Sequence, residues 1–139
     1  MINFTTTLSY GLRLLVNLSL SQKLPKQLKK IAKEEGISLA YLRKLITQLD
    51  RAGIVRSIKG PGGGFVLTQK PSKIYLSEVI NAINRNKVIS CVRGLPSCKR
   101  YNYCLVKDLL EEAYNKIQSV FKTKTLATII NKHSIATKH

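Results

Sequence analysis

The sequence predicts a mainly α-helical protein with one small β-hairpin: a winged helix-turn-helix domain followed by a long C-terminal dimerisation helix. Three observations support this fold class. Two short amphipathic helix patterns flank a glycine at residue 36, a glycine-rich turn then separates two short apolar runs, and a long apolar stripe follows near the C-terminus. The chain of 139 residues suffices for one compact functional unit.

The first two helices follow from apolar periodicity. Leucines and a valine recur at helical spacing between residues 7 and 20. Pro25 marks a new start, and the segment KQLKKIAKEEG presents one apolar stripe and stops at Gly36, which suits a left-handed C-terminal cap. The lysines beside this second helix that are predicted to contact DNA phosphate are Lys26, Lys29 and Lys30.

The third helix is predicted to begin after Ser38, a suitable N-cap, and to end before Gly53. Two short helices joined by a tight turn, the second polar and basic outside, have the layout of a helix-turn-helix with a recognition helix. An ordinary helical hairpin is the alternative. The predicted DNA contacts of this helix are Ser38, Tyr41, Arg43, Lys44 and Gln48.

A β-hairpin is predicted next, because IVRSIKGPGGGFVLTQK alternates Ile54, Ile58, Phe65 and Leu67 around GPGGG. A phosphate-cradling loop would need Gly-Lys-Ser/Thr and a following helix, so a nucleotide site is rejected. As a wing, the hairpin can lie along the DNA backbone or enter the minor groove, and a purely structural hairpin is the alternative. The predicted wing contacts are Arg56, Lys59, Gly62 and Gly63.

The C-terminal part begins with a short helix, LSEVINAIN, for which Ser77 is the predicted cap. A longer helix after Cys104 spaces its apolar residues alternately by four and three, which predicts pairing with a second copy in a homodimer. Packing within the same chain is the alternative. The residues of that stripe are Val106, Leu110, Ala113, Ile117 and Val120. The predicted division is a DNA-binding domain at 1–75, the cysteine loop and dimerisation helix at 76–131, and a flexible tail at 132–139.

Charge is the strongest compositional signal, since 24 Lys and Arg against 7 Asp and Glu give a formal net charge of +17. A surplus of this size indicates a polyanionic partner. Double-stranded DNA is favoured over a membrane surface because no helix has the bulky apolar face of an interfacial anchor. The N-terminus lacks a basic start and an unbroken apolar run, so a cytoplasmic protein with no membrane partner is predicted.

All three cysteines lie within SCVRGLPSCKRYNYCL, as Cys91, Cys98 and Cys104. In a reducing compartment such thiols are poor disulfide candidates, and an odd number leaves one unpaired. Soft thiolates select iron-sulfur clusters or zinc, and a loop containing glycine and proline lets three of them converge. The cations that would stabilise thiolates nearby are Arg93, Lys99, Arg100 and Lys107.

These residues carry a resemblance to a known family. The run GISLAYLRKLITQLDRAGIVRSIKGPGGGFVL resembles the winged helix-turn-helix core of the Rrf family of bacterial transcription regulators, and YGLRLLVNLSL and LSEVINAI continue the match. The three-cysteine loop is similar to that of the family's iron-sulfur cluster regulators and nitric oxide sensors. The resemblance implies that Cys91, Cys98 and Cys104 hold a 2Fe–2S or 4Fe–4S cluster.

The fourth ligand departs from these relatives. Lys107 stands where the iron-sulfur regulators carry a histidine, and Ser9 stands roughly where the nitric oxide sensors place an aspartate of the partner subunit. Asp108, one helical turn beyond Cys104, is the nearest candidate carboxylate. Ser9, another group of a partner chain, and an exogenous thiol or water are the alternatives.

The predicted function is therefore a DNA-binding transcriptional regulator, a repressor, that binds a palindromic operator and senses iron-sulfur status, redox state or nitric oxide. The alternative is a regulator of the same fold that uses zinc or direct thiol oxidation. A redox enzyme is disfavoured, because the chain has no Cys-x-x-Cys pair and no histidine near the loop.

Overall fold

A computed structural model describes residues 6–83 and 98–136. The elements run in the order α1 (Thr6–Ser19), α2 (Leu28–Glu35), α3 (Leu39–Arg51), β1 (Val55–Ile58), β2 (Gly64–Leu67), a 3-10 helix (Pro71–Lys73), α4 (Leu76–Ile83), a second 3-10 helix (Tyr101–Tyr103), α5 (Lys107–Thr123) and α6 (Leu126–Ala136). The described residues form helices and a two-stranded antiparallel sheet, which confirms the predicted fold class.

The turn between α2 and α3 has the predicted caps. Gly36 ends α2 in the left-handed region at φ 65°, and its N–H donates to the Ala32 carbonyl. Ser38 caps α3, since its Oγ accepts a hydrogen bond from the Tyr41 N–H at 3.2 Å. A cap of this kind stabilises a helix by about 1 kcal/mol, and together the two residues fix the tight turn of the helix-turn-helix.

One hydrophobic core holds the helices together. Fully buried side chains from α1, α3 and β1, among them Leu14, Leu42 and Val55, pack with Val79 of α4 and Leu126 of α6. Each such side chain contributes about 1.5–3 kcal/mol by leaving water. The core therefore includes side chains from both sides of residue 75.

The wing is an antiparallel hairpin in which Val55 pairs with Leu67 and Arg56 pairs with Val66. Its most buried residues are Val55 and Val66, whereas Phe65 and Leu67 are half-buried. The alternating apolar pattern in the sequence did not predict that Val55 and Val66 are both buried. These two residues lie on opposite faces, and the base of the hairpin is covered on both sides.

Helix α4 is fixed at its start by a contact with the chain between α5 and α6. The Leu76 N–H donates to the Lys124 carbonyl, and the Leu126 N–H donates to the Ile74 carbonyl, both at 2.9 Å. Ser77 consequently lies inside α4, and its prediction as the cap is wrong. Helix α6, which the sequence did not predict, extends to Ala136, within the range 132–139 predicted as a tail.

Helix α5 is poorly covered by the described part of the chain. Of its 17 residues only Gln118 is buried. Large apolar side chains at its start and end are open to solvent, with Val106 55%, Leu109 66% and Val120 49% exposed. Within the two described ranges, no helix combines the length and the apolar character needed to cross a bilayer.

Candidate nucleic-acid interface and cysteine loop

The outer face of α3 is polar, basic and open to solvent. Arg43, Lys44 and Arg51 are exposed, while Leu42, Leu45 and Leu49 on the opposite face are buried. None of these three cations forms an ion pair within the described part of the chain. Long side chains on such a face are able to reach base edges or phosphates in a major groove.

Two other predicted contacts on α3 are partly held by the protein itself. The Tyr41 hydroxyl lies 2.5 Å from Thr7 Oγ1, and its ring packs edge-to-face on Tyr10 with centroids 5.5 Å apart. Gln48 is half-buried, and its Oε1 is buried without a hydrogen-bond partner among the described residues. Tyr41 therefore attaches the start of α3 to α1.

The lysines beside α2 have different surroundings. Lys29 and Lys30 are exposed on the outer face of the helix. Lys26 precedes α2, and only 15% of its side chain is exposed. Its Nζ donates to Asn17 Oδ1 and to Glu34 Oε2, both at 2.5 Å. The Lys26 ammonium is thus neutralised within the fold, whereas the other two are free to meet phosphate.

The Lys26 pair belongs to a polar network between α1 and α2. Asn17 is buried, and its amide donates to Glu34 Oε2 at 3.0 Å and to Glu35 Oε1 at 2.8 Å. Arg13 Nε donates to Glu35 Oε2 at 3.1 Å. Hydrogen bonds from Lys26 and then from Asn17 hold the pKa of Glu34 below its ordinary value.

The same lysine connects the network to the wing. Lys26 and Phe65 exchange two backbone hydrogen bonds, with N···O distances of 3.1 and 2.9 Å. Lys26 therefore extends the hairpin by a one-residue third strand. The sequence signal for this network was the polar Asn17 within the apolar pattern of α1, together with adjacent acidic residues in a chain that has only 7.

The wing tip is small, so its backbone is able to approach another molecule closely. The Gly63 N–H donates to the Gly60 carbonyl at 3.0 Å, with Pro61 between them and Gly62 at φ 73°, a combination typical of a type II turn. A side chain at Gly63 would place its Cβ 2.3 Å from the Ile58 carbonyl oxygen. The tip has no protruding side chain apart from Pro61, and Arg56 and Lys59 are exposed behind it.

The structure describes two of the three predicted cluster ligands; Cys91 lies outside the described residues. Cys98 is exposed and Cys104 is half-buried, and both are free thiols. Tyr101 donates its N–H to the Cys98 carbonyl at 3.0 Å, so the chain between the cysteines forms a compact turn. Lys107 begins α5 three residues after Cys104, so this cysteine lies just before the N-terminus of the helix.

The candidate fourth ligands are on different helices. Asp108 is exposed in the first turn of α5, on the polar face that also carries Glu111, Glu112 and Lys116. Ser9 is exposed on α1. Within residues 6–83 and 98–136, no three cysteine, histidine or carboxylate side chains come close enough to form a metal site.

Comparison with known proteins places these features in context. A family model described as Rrf2, iron-dependent transcriptional regulator, matches residues 4–132. The HTH-type transcriptional regulator IscR of Yersinia pseudotuberculosis is 35% identical over 115 residues, which are 83% of this chain and 70% of that protein.

Solved structures of regulators are similar to this chain in fold. T. potens IscR superposes with a TM-score of 0.78 at 27% identity, covering 96% of this chain and 90% of that one. CymR, the global cysteine regulator of B. subtilis, superposes with a TM-score of 0.74 at 28% identity, covering 95% and 98% of the two chains. An oxidized form of Staphylococcus aureus CymR gives 0.68 at 26% identity, with 89% and 92% covered.

Proposed function

This chain belongs to the Rrf2 family of transcriptional regulators, and on that premise we propose that it binds a palindromic DNA operator as a homodimer under the control of an iron-sulfur cluster. The proposal that the protein binds DNA rests on the exposed basic face of α3 beside a glycine-tipped wing. The relatives at 35% sequence identity are helix-turn-helix transcriptional regulators, which supports the same assignment.

In the proposed complex α3 lies in the major groove, where Arg43 and Lys44 read base edges. Lys29 and Lys30 of α2 contact phosphate, and the wing meets the backbone or the adjacent minor groove through its small tip. For Lys26 we propose a positioning role instead of the predicted phosphate contact, because its ammonium is paired with Glu34. It positions the wing through the two backbone bonds to Phe65.

The homodimer is supported by the exposure of α5. In the stripe predicted to pair with a second copy, Val106, Ala113 and Val120 are exposed and Leu110 and Ile117 are half-buried. Apolar side chains left open along a helix of 17 residues favour burial against another surface. A second copy supplies that surface and also the second recognition helix that a palindrome requires.

The cluster proposal rests on the cysteine loop. Cys98 and Cys104 form no disulfide, and the cations Lys99, Arg100 and Lys107 are close to them in the chain. Thiolate donors in a positive environment fit an iron-sulfur cluster, and Cys91 is the proposed third ligand. A bound cluster would supply a centre that reacts with oxidants or nitric oxide. Asp108 remains the candidate fourth ligand on the cluster-bearing chain.

A second candidate function keeps the regulator and replaces the cluster with zinc or direct thiol oxidation. The observation that favours it is the likeness to CymR, a cysteine regulator that has been solved in an oxidized form. The exposure of Cys98 is compatible with that chemistry, because oxidants reach exposed thiols first.

The localisation of the protein in the cytoplasm stays a prediction.

The experiment that tests the DNA-binding part selects sequences from a random duplex library with the purified protein. We expect enrichment of an inverted repeat whose half-site centres lie about 34 Å apart or at a multiple of that spacing, because two α3 helices must meet one face of the duplex. Failure to enrich any sequence, or enrichment of a single unrepeated site, would contradict the proposal.

A further inference from the structure

A groove of about 840 Å³ lies behind the wing. Among its described lining residues Arg56 is also a predicted DNA contact, and none is assigned to the cluster or to the dimer. It is bounded by the C-terminal end of α1, by the hairpin, and by the loop that leads into α4. Its floor is apolar and includes Leu18 and Val66, which lies on the hairpin face that carries Arg56. The volume is within the range of sites that hold small molecules.

The rim of this groove is strongly basic. Its four cations are Lys23, Arg56, Lys70 and Lys73, and Glu78 is the carboxylate among its lining residues. All four cations are exposed, and none forms an ion pair with Glu78 or with any other acidic group in the described ranges. The described lining residues therefore carry four positive charges and one negative charge.

The hydroxyl groups at the groove are already engaged. Ser21 Oγ donates to the Leu18 and Leu24 carbonyls, at 2.7 and 2.9 Å, and Thr68 Oγ1 donates to the Gly53 carbonyl at 2.6 Å. Ser19 Oγ donates to the Val16 carbonyl at 2.6 Å. These hydroxyl hydrogens are therefore already used within the fold.

We propose that this groove binds a multivalent phosphate-type anion. A concave surface with several cations of one sign over an apolar floor focuses a positive potential and attracts polyvalent anions more strongly than a flat surface of equal charge. Two sources have this chemistry: a free phosphate-bearing molecule, and a phosphate of DNA that flanks the operator. None of the described residues that line the groove is a proposed cluster ligand, so the proposal does not depend on the cluster.

The first test uses inorganic pyrophosphate as the probe, with the full-length protein, no DNA and constant ionic strength. Calorimetry or the shift in melting temperature should show saturable binding, weakened about tenfold or more in the double variant Lys70→Gln/Lys73→Gln. The matched control Lys122→Gln/Lys132→Gln removes the same charge from α5 and α6 and should bind like the parent. Equal weakening in both double variants, or no saturable binding by the parent, would overturn the proposal.

The second test identifies the source of the anion. If DNA phosphate occupies the groove, Lys70→Gln/Lys73→Gln lowers the slope of log affinity against log salt by about 0.9 for each phosphate that the variant no longer neutralises, and pyrophosphate competes with DNA. If a free anion occupies it, the slope equals that of the parent and pyrophosphate binds alongside DNA. Because the first test contains no DNA, its failure is distinct from failure of the proposed operator binding.

Discussion

Replacing Lys26 with methionine tests whether this residue holds the fold or contacts DNA. The change removes an ammonium ion that donates to Asn17 and Glu34, both at 2.5 Å, from a side chain that is 15% exposed. Asn17 is 6% exposed, so its Oδ1 would be left without this donor. Leaving a buried acceptor unsatisfied costs about 1–3 kcal/mol.

The bond to Glu34 adds little to this cost, because that carboxylate is 38% exposed and water can replace the ammonium. We therefore expect Lys26→Met to lower the free energy of unfolding by about 2 kcal/mol. For a chain of this size that is a fall in melting temperature of roughly 6–8 °C. The parent and the variant must be compared at one protein concentration, because a dimer melts in a concentration-dependent way.

The matched control is Lys29→Met, which removes an exposed lysine close by in the chain. Its free energy of unfolding should stay within about 0.5 kcal/mol of the parent. In DNA binding the order reverses: Lys29→Met should lower the log–log salt slope by about 0.9 per phosphate contact, doubled in a dimer, and Lys26→Met should leave it unchanged. A Lys26→Met protein with parental stability and a reduced slope would refute this reasoning.

Three further substitutions test base reading by α3, the proposed subunit contact and the ion pair of Glu34. Arg43→Ala should reduce the preference for operator over random DNA by about 1–3 kcal/mol in competition assays, and an unchanged preference would remove this residue from base reading. Val120→Asp should give folded monomers in sedimentation that lose tight operator binding, because a charge then lies in the proposed subunit contact; a variant that remains dimeric would place that contact elsewhere. Since the pKa of Glu34 is lowered from 4.5 in the folded protein, the stability it contributes is present above pH 4.5 and is lost as the pH falls through the folded-state pKa. Denaturant titrations between pH 7 and 3 should therefore show a weaker acid dependence in Glu34→Gln, and identical pH profiles would contradict the ion pair.

The sequence predicted the helix-turn-helix and the wing because their signals are local. Gly36 and Ser38 act within a few residues of their own position, and the glycine run defines the hairpin by turn chemistry alone. Those positions agree with the structure. Local chemistry also explains the misplaced cap at Ser77, since the true start of α4 is fixed by a bond to Lys124, far away in the chain.

The roles of individual polar residues were harder to predict, because they depend on tertiary contacts. Lys26 lies beside the exposed Lys29 and Lys30 in sequence, yet its partners Asn17 and Glu34 reach it only after α1 and α2 pack. Tyr41 points outward on the helical pattern of α3 but is covered by α1. The spacing of residues in a sequence predicts which of them share a face of a helix. It does not predict which neighbouring element covers that face.

The most direct test of the central claim is the iron and acid-labile sulfide content of protein purified without oxygen, measured in parallel for Cys104→Ser. We expect about two or about four irons per chain, with matching sulfide, in the parent, and little of either in the variant, because thiolates are the proposed ligands. The apo variant should remain folded, since its core of leucine, isoleucine and valine side chains needs no metal. Zinc in place of iron, no metal in the parent, or full cluster retention in Cys104→Ser would contradict the account.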